Sequence, residues 1–245
     1  MNIVDVHTHV GKWMFPIQRA DIDDLVAIER QCGISKCVIS SSSAILYDFI
    51  EGNSLLARQL DKYRGLCYGY VVVNPHYLDE SLNEIEKYSR DPRFVGVKLH
   101  PDQQAFSLKD RAVARIVDRA HEHRMPLLVH TFSAAAAAHL TELAGQHRDL
   151  PIIMAHMGGA EWESAVKYAE KAENIYLDPC CSYADRGKLE AAVRAVGAGR
   201  VVFGSDAVLF NPRFVIGMIE SAEIEESDRQ LIYRDNAMRI FGLEE

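Results

Sequence analysis

The stretch NIVDVHTH (2–9) reads as a buried β-strand: β-branched residues dominate it, and Val10 continues the apolar run. Three metal-competent side chains interrupt it at every second position, Asp5, His7 and His9, between Ile3, Val4, Val6 and Val10. Side chains at i and i+2 of a strand share a face. His7 and His9 are therefore expected to point the same way and to be able to hold one ion.

Similar short apolar runs recur along the whole chain. They are KCVISSS (36–42), GLCYGYVVV (65–73), FVGVKLH (94–100), PLLVHTF (126–132), PIIMAHM (151–157), NIYLD (174–178) and RVVFGSD (200–206). Their near-continuous apolar character suits parallel strands covered on both faces. Between them lie segments with helical spacing and helix-end signals, such as DIDDLVAIERQCG, acidic in its first turn and closed by Gly33. Eight strands alternating with helices predict an α/β fold, a (β/α)8 TIM barrel, as a single domain over residues 1–245. An open doubly wound sheet is the competing architecture, but no Gly-rich fingerprint follows the first strand. The alanine run 134–138 is read only as a strong helix former.

Composition narrows the function classes. The 245 residues are 48% hydrophobic and 25% charged, with a formal charge of −8. That balance, without any basic block, argues against nucleic acid as a partner. No apolar run is long enough to span a bilayer, and no basic-then-apolar leader opens the chain, so a cytoplasmic protein with no membrane association is expected. Five cysteines (Cys32, Cys37, Cys67, Cys180, Cys181) lack CxxC spacing and read as reduced thiols, mostly small buried hydrophobes.

In a barrel of this kind the active site is built at the C-terminal ends of the strands. His7 and His9 end the first predicted strand, Lys98 and His100 the fourth, His130 the fifth, His156 the sixth and Asp206 the eighth. A lone inward histidine is more often a hydrogen-bonded core residue than a ligand. Here His7, His9, His130 and Asp206 fall in register on one rim and make a nitrogen/oxygen donor set suited to Zn²⁺. His76, His121, His123, His139 and His147 fall away from that rim and read as surface residues. Trp13, Met14 and Phe15 after the first strand, with Tyr47 and Phe49 after the second, either form an apolar lid or pack as a satellite core. Gly158 and Gly159 permit backbone close to the pocket, and Arg213 reads as a surface residue.

Together DVHTH, GVKLHP, VHTF, AHMGG, FGSD and the terminal DNAMRIFG resemble the amidohydrolase superfamily, specifically its amidohydrolase-related branch of metal-dependent hydrolases and nonoxidative decarboxylases. The resemblance covers essentially the whole chain. It implies metal ligation by His7, His9, His130 and Asp206, with His156 beside the metal-bound water and Asp5 behind the histidine pair. One divalent ion is expected, Zn²⁺ first, with Mn²⁺, Fe²⁺ and Ni²⁺ open. A carbamylated Lys98 bridging two ions is the weaker alternative. The resemblance also suggests a homodimer. PHP phosphoesterases open similarly but close with a late Asp-X-His, whereas Ala207 and Val208 follow Asp206. TatD-type nucleases use a glutamate where this chain has Val97-Lys98-Leu99-His100.

The activity these readings imply is a metal-dependent hydrolase. Its metal-bound water would attack the amide, ester or lactone carbonyl of a small cyclic or carboxylated substrate. Asp206 and His156 would be catalytic, and Lys98 and His100 would bind a substrate carboxylate or oxyanion. The alternative is a nonoxidative decarboxylase of an aromatic or cyclic acid on the same site. Against it, the loop after the first strand offers no arginine beyond Arg19 as a carboxylate clamp. An idle barrel serving as a scaffold would be marked by loss of a ligand, and the full set is present.

Overall fold

The computed structural model describes residues 2–180 and 183–244. Seven strands form one parallel sheet in sequence order: β1 Ile3–Val10, β2 Ile34–Ser41, β3 Cys67–Val72, β4 Phe94–Leu99, β5 Leu127–His130, β6 Ile152–Ala155 and β7 Ile175–Asp178. Helices return the chain between them and cover the outer face. Their starts are fixed by local chemistry: Asp21 accepts from the Asp24 N–H, and Asp48 from those of Ile50 and Glu51.

Two apolar layers result. Leu25, Val26, Ile116, Val117 and Leu140 of the helices pack with Ile3, Ile39, Leu99 and Leu127 of the strands. Val4, Val6, Val38, Tyr70, Leu128, Ile153 and Val202 form a second cluster, joined by Ala237 and Ile240 of the helix Asn236–Phe241. Along β1 the alternation is not uniform. Its ladder with β2 shifts register between Ile3 and Val4 and again between Asp5 and Thr8.

The eighth predicted strand is not a ladder strand. Residues 201–207 make one isolated bridge to each edge of the curled sheet, Leu177 with Val201 and Thr8 with Ala207. Backbone bonds join the segment to both edges: Val202 N–H to Leu177 O (2.9 Å), Val6 N–H to Phe203 O (2.9 Å) and Asp206 N–H to His7 O (2.8 Å). The ladder fails because its donors are used elsewhere. Phe203 N–H goes to Ile232 O at 3.0 Å and Ser205 N–H to Asp5 Oδ1 at 3.1 Å, while Asp206 turns to a φ of +62°. Gly204 is needed here, since a Cβ at that position would run into the Asp178 carboxylate. The closed eight-stranded ladder expected from the sequence is therefore replaced by seven strands and an irregular bridging segment.

Candidate metal centre and active site

The strand ends converge. His7 and His9 of β1, Lys98 of β4, His100 after it, His156 after β6, Asp178 of β7 and Asp206 of the bridging segment are all buried. His7 Nε2 and His9 Nε2 lie 3.3 Å apart. Asp206 Oδ1 is 3.1 Å from His9 Nε2 and 3.6 Å from His7 Nε2. Both Asp206 (φ +62°) and His156 (φ +67°) occupy the left-handed region, a cost that side chains with Cβ atoms bear where the fold dictates their aim.

Behind this trio stands Asp178. Its Oδ2 is 2.8 Å from His7 Nδ1 and also accepts the Cys180 thiol at 3.0 Å. With Nδ1–H donated to Asp178, the Nε2 lone pair of His7 faces Asp206 and His9. A carboxylate on the far nitrogen is how a metal-binding imidazole is usually fixed. Lys98 Nζ, wholly buried, reaches the same Nε2 at 3.1 Å.

Above the trio lies a cavity of about 200 Å³ lined by His7, His9, His100, His130, His156, Asp206 and Gln103, with Trp13, Phe15, Phe132, Leu209 and Phe210 as apolar walls. His130 closes β5 on its rim. Its ring stacks on His100 at 3.9 Å between centroids, and its Nε2 is 3.0 Å from Asp102 Oδ2. His156 Nδ1 donates to Cys180 O at 2.8 Å, which leaves Nε2 as its acceptor nitrogen.

Burial sets most of the protonation states. It pushes His7 and His100 well below the ordinary histidine range, with Lys98 adding to the effect on His7 and His130 to that on His100. Burial and His130 bring His156 down to about 4. Burial lowers His9 and His130 too, each partly offset by a hydrogen bond to its carboxylate, Asp206 or Asp102. Lys98 comes down to about 8 by burial, against the pull of Asp206, Cys180 and Asp178. For Asp206 burial acts upward, but the adjacent His7 and His9 outweigh it and hold the carboxyl below its usual range. The result at neutral pH is neutral imidazoles around an ionised carboxylate.

That donor set fits a divalent ion. His7, His9 and Asp206 offer two imidazole nitrogens and a carboxylate oxygen, all within 4.8 Å of one another and buried. The set is borderline in softness, which suits zinc and its neighbours among the transition metals. His7, His156 and Cys180 make a second grouping within the same limit, behind the first.

A family model described as amidohydrolase matches residues 44–243. The chain belongs to the amidohydrolase family. The match begins after β1, so the His7/His9 pair rests on the geometry above. No curated protein matches this amidohydrolase in sequence. Among solved structures it is similar to 2,6-dihydroxybenzoate decarboxylase from Rhizobium (TM-score 0.77, 17% identity, 99% of each chain). It is similar to 5-carboxyvanillate decarboxylase from Sphingomonas paucimobilis (TM-score 0.80, 13% identity, 99% of each chain). It is also similar to a probable 2-pyrone-4,6-dicarboxylic acid hydrolase from Acinetobacter baumannii (TM-score 0.75, 15% identity, 99% of this chain and 100% of that one). At these identities the likeness is one of fold.

The amidohydrolase structure brings His7, His9 and Asp206 together, with His156 adjacent and His100 on the cavity wall. It sets His130 on the rim against Asp102, outside the converging trio, and Lys98 against His7 Nε2 but off the cavity lining. Asp5 is not behind an imidazole: its Oδ1 accepts the backbone N–H groups of His7 (3.0 Å) and Ser205 (3.1 Å), tying β1 to the bridging segment. Asp178 was not among the expected site residues. Its signal is the one that marks the others, a polar residue ending an apolar run. Trp13 and Phe15 reach the cavity, whereas Phe49 packs with Ala44, Ile45 and Val72 as a satellite core. Gly159 brings its backbone against the Phe132 ring, as a glycine pair beside the pocket allows. Arg213 donates to Gln31 O on the surface. Cys181 lies outside the described residues, and His147 is buried rather than on the surface.

Proposed function

We propose that this amidohydrolase is a metal-dependent hydrolase of a small cyclic or carboxylated substrate, cleaving an amide, ester or lactone carbonyl. The observation that carries the reading is one buried carboxylate, Asp206, set against the Nε2 atoms of two buried histidines at 3.1 and 3.6 Å. His7, His9 and Asp206 would hold one divalent ion, Zn²⁺ by preference, with His130, its Nε2 on Asp102, beside them on the rim. Such an ion polarises a carbonyl and brings the pKa of a water toward about 7.

The chain's own groups supply the proton chemistry. Asp206, ionised at neutral pH, is the base that takes a proton from the attacking water and returns it to the leaving group. His156 presents its Nε2 as an acceptor, because Nδ1 is committed to Cys180 O, and so orients that water. His100 and Gln103 give polar contacts for the substrate's remaining oxygens, and Trp13, Phe15, Phe132 and Phe210 keep bulk water away from the reacting carbonyl. Residues 201–207 then act as the eighth strand of a (β/α)8 barrel in position, if not in ladder.

The aromatic walls favour a second reading, nonoxidative decarboxylation of a ring acid. No arginine lines the cavity among the described residues, and that leaves a carboxylate without its usual bidentate partner. Turnover of lactone, amide and hydroxy-aromatic acid panels in ¹⁸O-labelled water separates the two. Hydrolysis places one labelled oxygen in the product. Release of CO₂ from an aromatic acid, with no label incorporated from any lactone or amide, would overturn the hydrolase.

A further inference from the structure

Two more imidazoles meet at the opposite end of the sheet, where β5 and β6 begin. His121 is in the last turn of the helix Arg111–Glu122, which leads into β5, and His147 is in the connection from the helix Ala134–Ala144 to β6. Their Nδ1 atoms are 3.5 Å apart. Each turns its other nitrogen toward a carboxylate: His121 Nε2 is 2.8 Å from Asp149 Oδ1, and His147 Nε2 is 3.6 Å from Asp118 Oδ1.

A neutral imidazole carries one N–H. With its hydrogen turned to Asp149, His121 Nδ1 bears a lone pair aimed at His147. His147 Nε2, 3.6 Å from Asp118, is not hydrogen-bonded to it, so the 3.5 Å gap between the Nδ1 atoms is filled either by a hydrogen on His147 Nδ1 or by a cation that both lone pairs bind. A carboxylate on the outer nitrogen is the support that metal-binding histidines characteristically have.

The spacing selects the kind of cation. Two nitrogens each about 2.0–2.1 Å from a tetrahedral ion lie about 3.3–3.4 Å apart, close to the observed gap. The same spacing occurs within this chain at the His7/His9 pair, whose Nε2 atoms are 3.3 Å apart. Ring centroids are separated by 5.3 Å in both pairs, with interplanar angles of 56° for His7/His9 and 80° for His121/His147. The His147 backbone is also held in place. Asn174 Nδ2 donates to its carbonyl at 2.8 Å and to those of Ala144 and Leu150 at 3.2 and 2.9 Å. The nearby Arg119 is paired with Glu122 and Glu86.

We propose that His121 and His147, backed by Asp149 and Asp118, form a second divalent-metal site, a zinc clip joining the Arg111–Glu122 helix to the entry of β6. Water completes the coordination. The site is separate from the catalytic pocket, and its existence does not depend on the proposed activity.

The test is a zinc count on the full chain, stripped with chelator, dialysed against buffered Zn²⁺ and analysed by mass spectrometry. His121→Ala and His147→Ala are each expected to bind one zinc fewer per chain than the wild type, with an unchanged far-UV spectrum. Asp149→Asn is expected to retain the site at about 10–100-fold lower affinity. Because His147 is buried, His121→Ala decides alone if the His147 variant does not fold; the His121 side chain is 35% exposed. An equal zinc count in wild type and His121→Ala would overturn the site and leave a shared proton as the occupant of the gap.

Discussion

Asp178 does for His7 what no residue of β1 can do: it fixes which imidazole nitrogen carries the hydrogen. Asp178→Asn keeps the shape but removes the charge that holds Nδ1–H. It should weaken divalent-ion binding about 10–100-fold, as measured by competition with a chromogenic chelator, while the fold is retained. Unchanged affinity would mean that Cys180, 3.1 Å from the same Nδ1, orients the ring instead. Asp206→Asn removes the proposed base as well as a ligand charge. Turnover should fall by at least the 10²–10⁴-fold typical of a lost general base, measured at saturating metal. These residues differ in how legible they are. His7, His9 and Asp206 stand out because each is a polar intrusion at the end of an apolar run. Asp178 carries the same mark in NIYLD, yet spacing alone does not distinguish a ligand from the carboxylate behind it. The Asp102–His130 pairing carries no mark at all, since it depends on how the turn after β4 folds back.

At the scale of elements, the β/α alternation was readable because parallel strands covered on both faces leave long apolar runs. The eighth run had the same composition but not the same hydrogen bonding. Asp5 and Ile232 take the N–H groups of Ser205 and Phe203, and nothing in RVVFGSD announces those distant acceptors. Gly204→Ala tests how tightly this segment is built. A methyl forced into the Asp178 carboxylate should cost about 1–3 kcal/mol in urea unfolding and lower metal affinity in parallel, since the same carboxylate holds His7. A second element-scale test lies between the helix Ile22–Gln31 and β2. Glu29 is buried with neither carboxylate oxygen hydrogen-bonded, and burial pushes its pKa well above the ordinary value. A group whose folded pKa is raised contributes stability that is intact below its unfolded pKa, about 4.3, and is lost as pH climbs toward the folded value. Glu29→Gln is free of that loss. Its stability advantage over wild type should therefore grow above about pH 4.3, at no more than about 1.4 kcal/mol per pH unit for one proton. Parallel stability curves from pH 5 to 8 would show that Glu29 finds a partner in solution.

For the whole molecule, the apolar clusters and the polar rim divide the work. Val4, Val6, Tyr70, Leu128 and Ile153 fill the sheet's interior below the histidines, so the fold has a core that needs no ion. Metal should therefore add to stability without being required for folding, unlike small domains that unfold when stripped. The expected increment is mass action: an ion that binds only the native state at 100 times its Kd stabilises by about 2.7 kcal/mol. The measurement belongs in a His121→Ala background, where the proposed clip at the far end cannot contribute. There, adding Zn²⁺ should raise the unfolding midpoint while the stripped protein keeps its far-UV spectrum. Adding Asp206→Asn to that background should remove most of the rise, because the carboxylate is shared between both Nε2 atoms. Loss of helical signal on chelation would place the ion within the folding core itself, and the interior cluster would then be insufficient to hold the sheet closed.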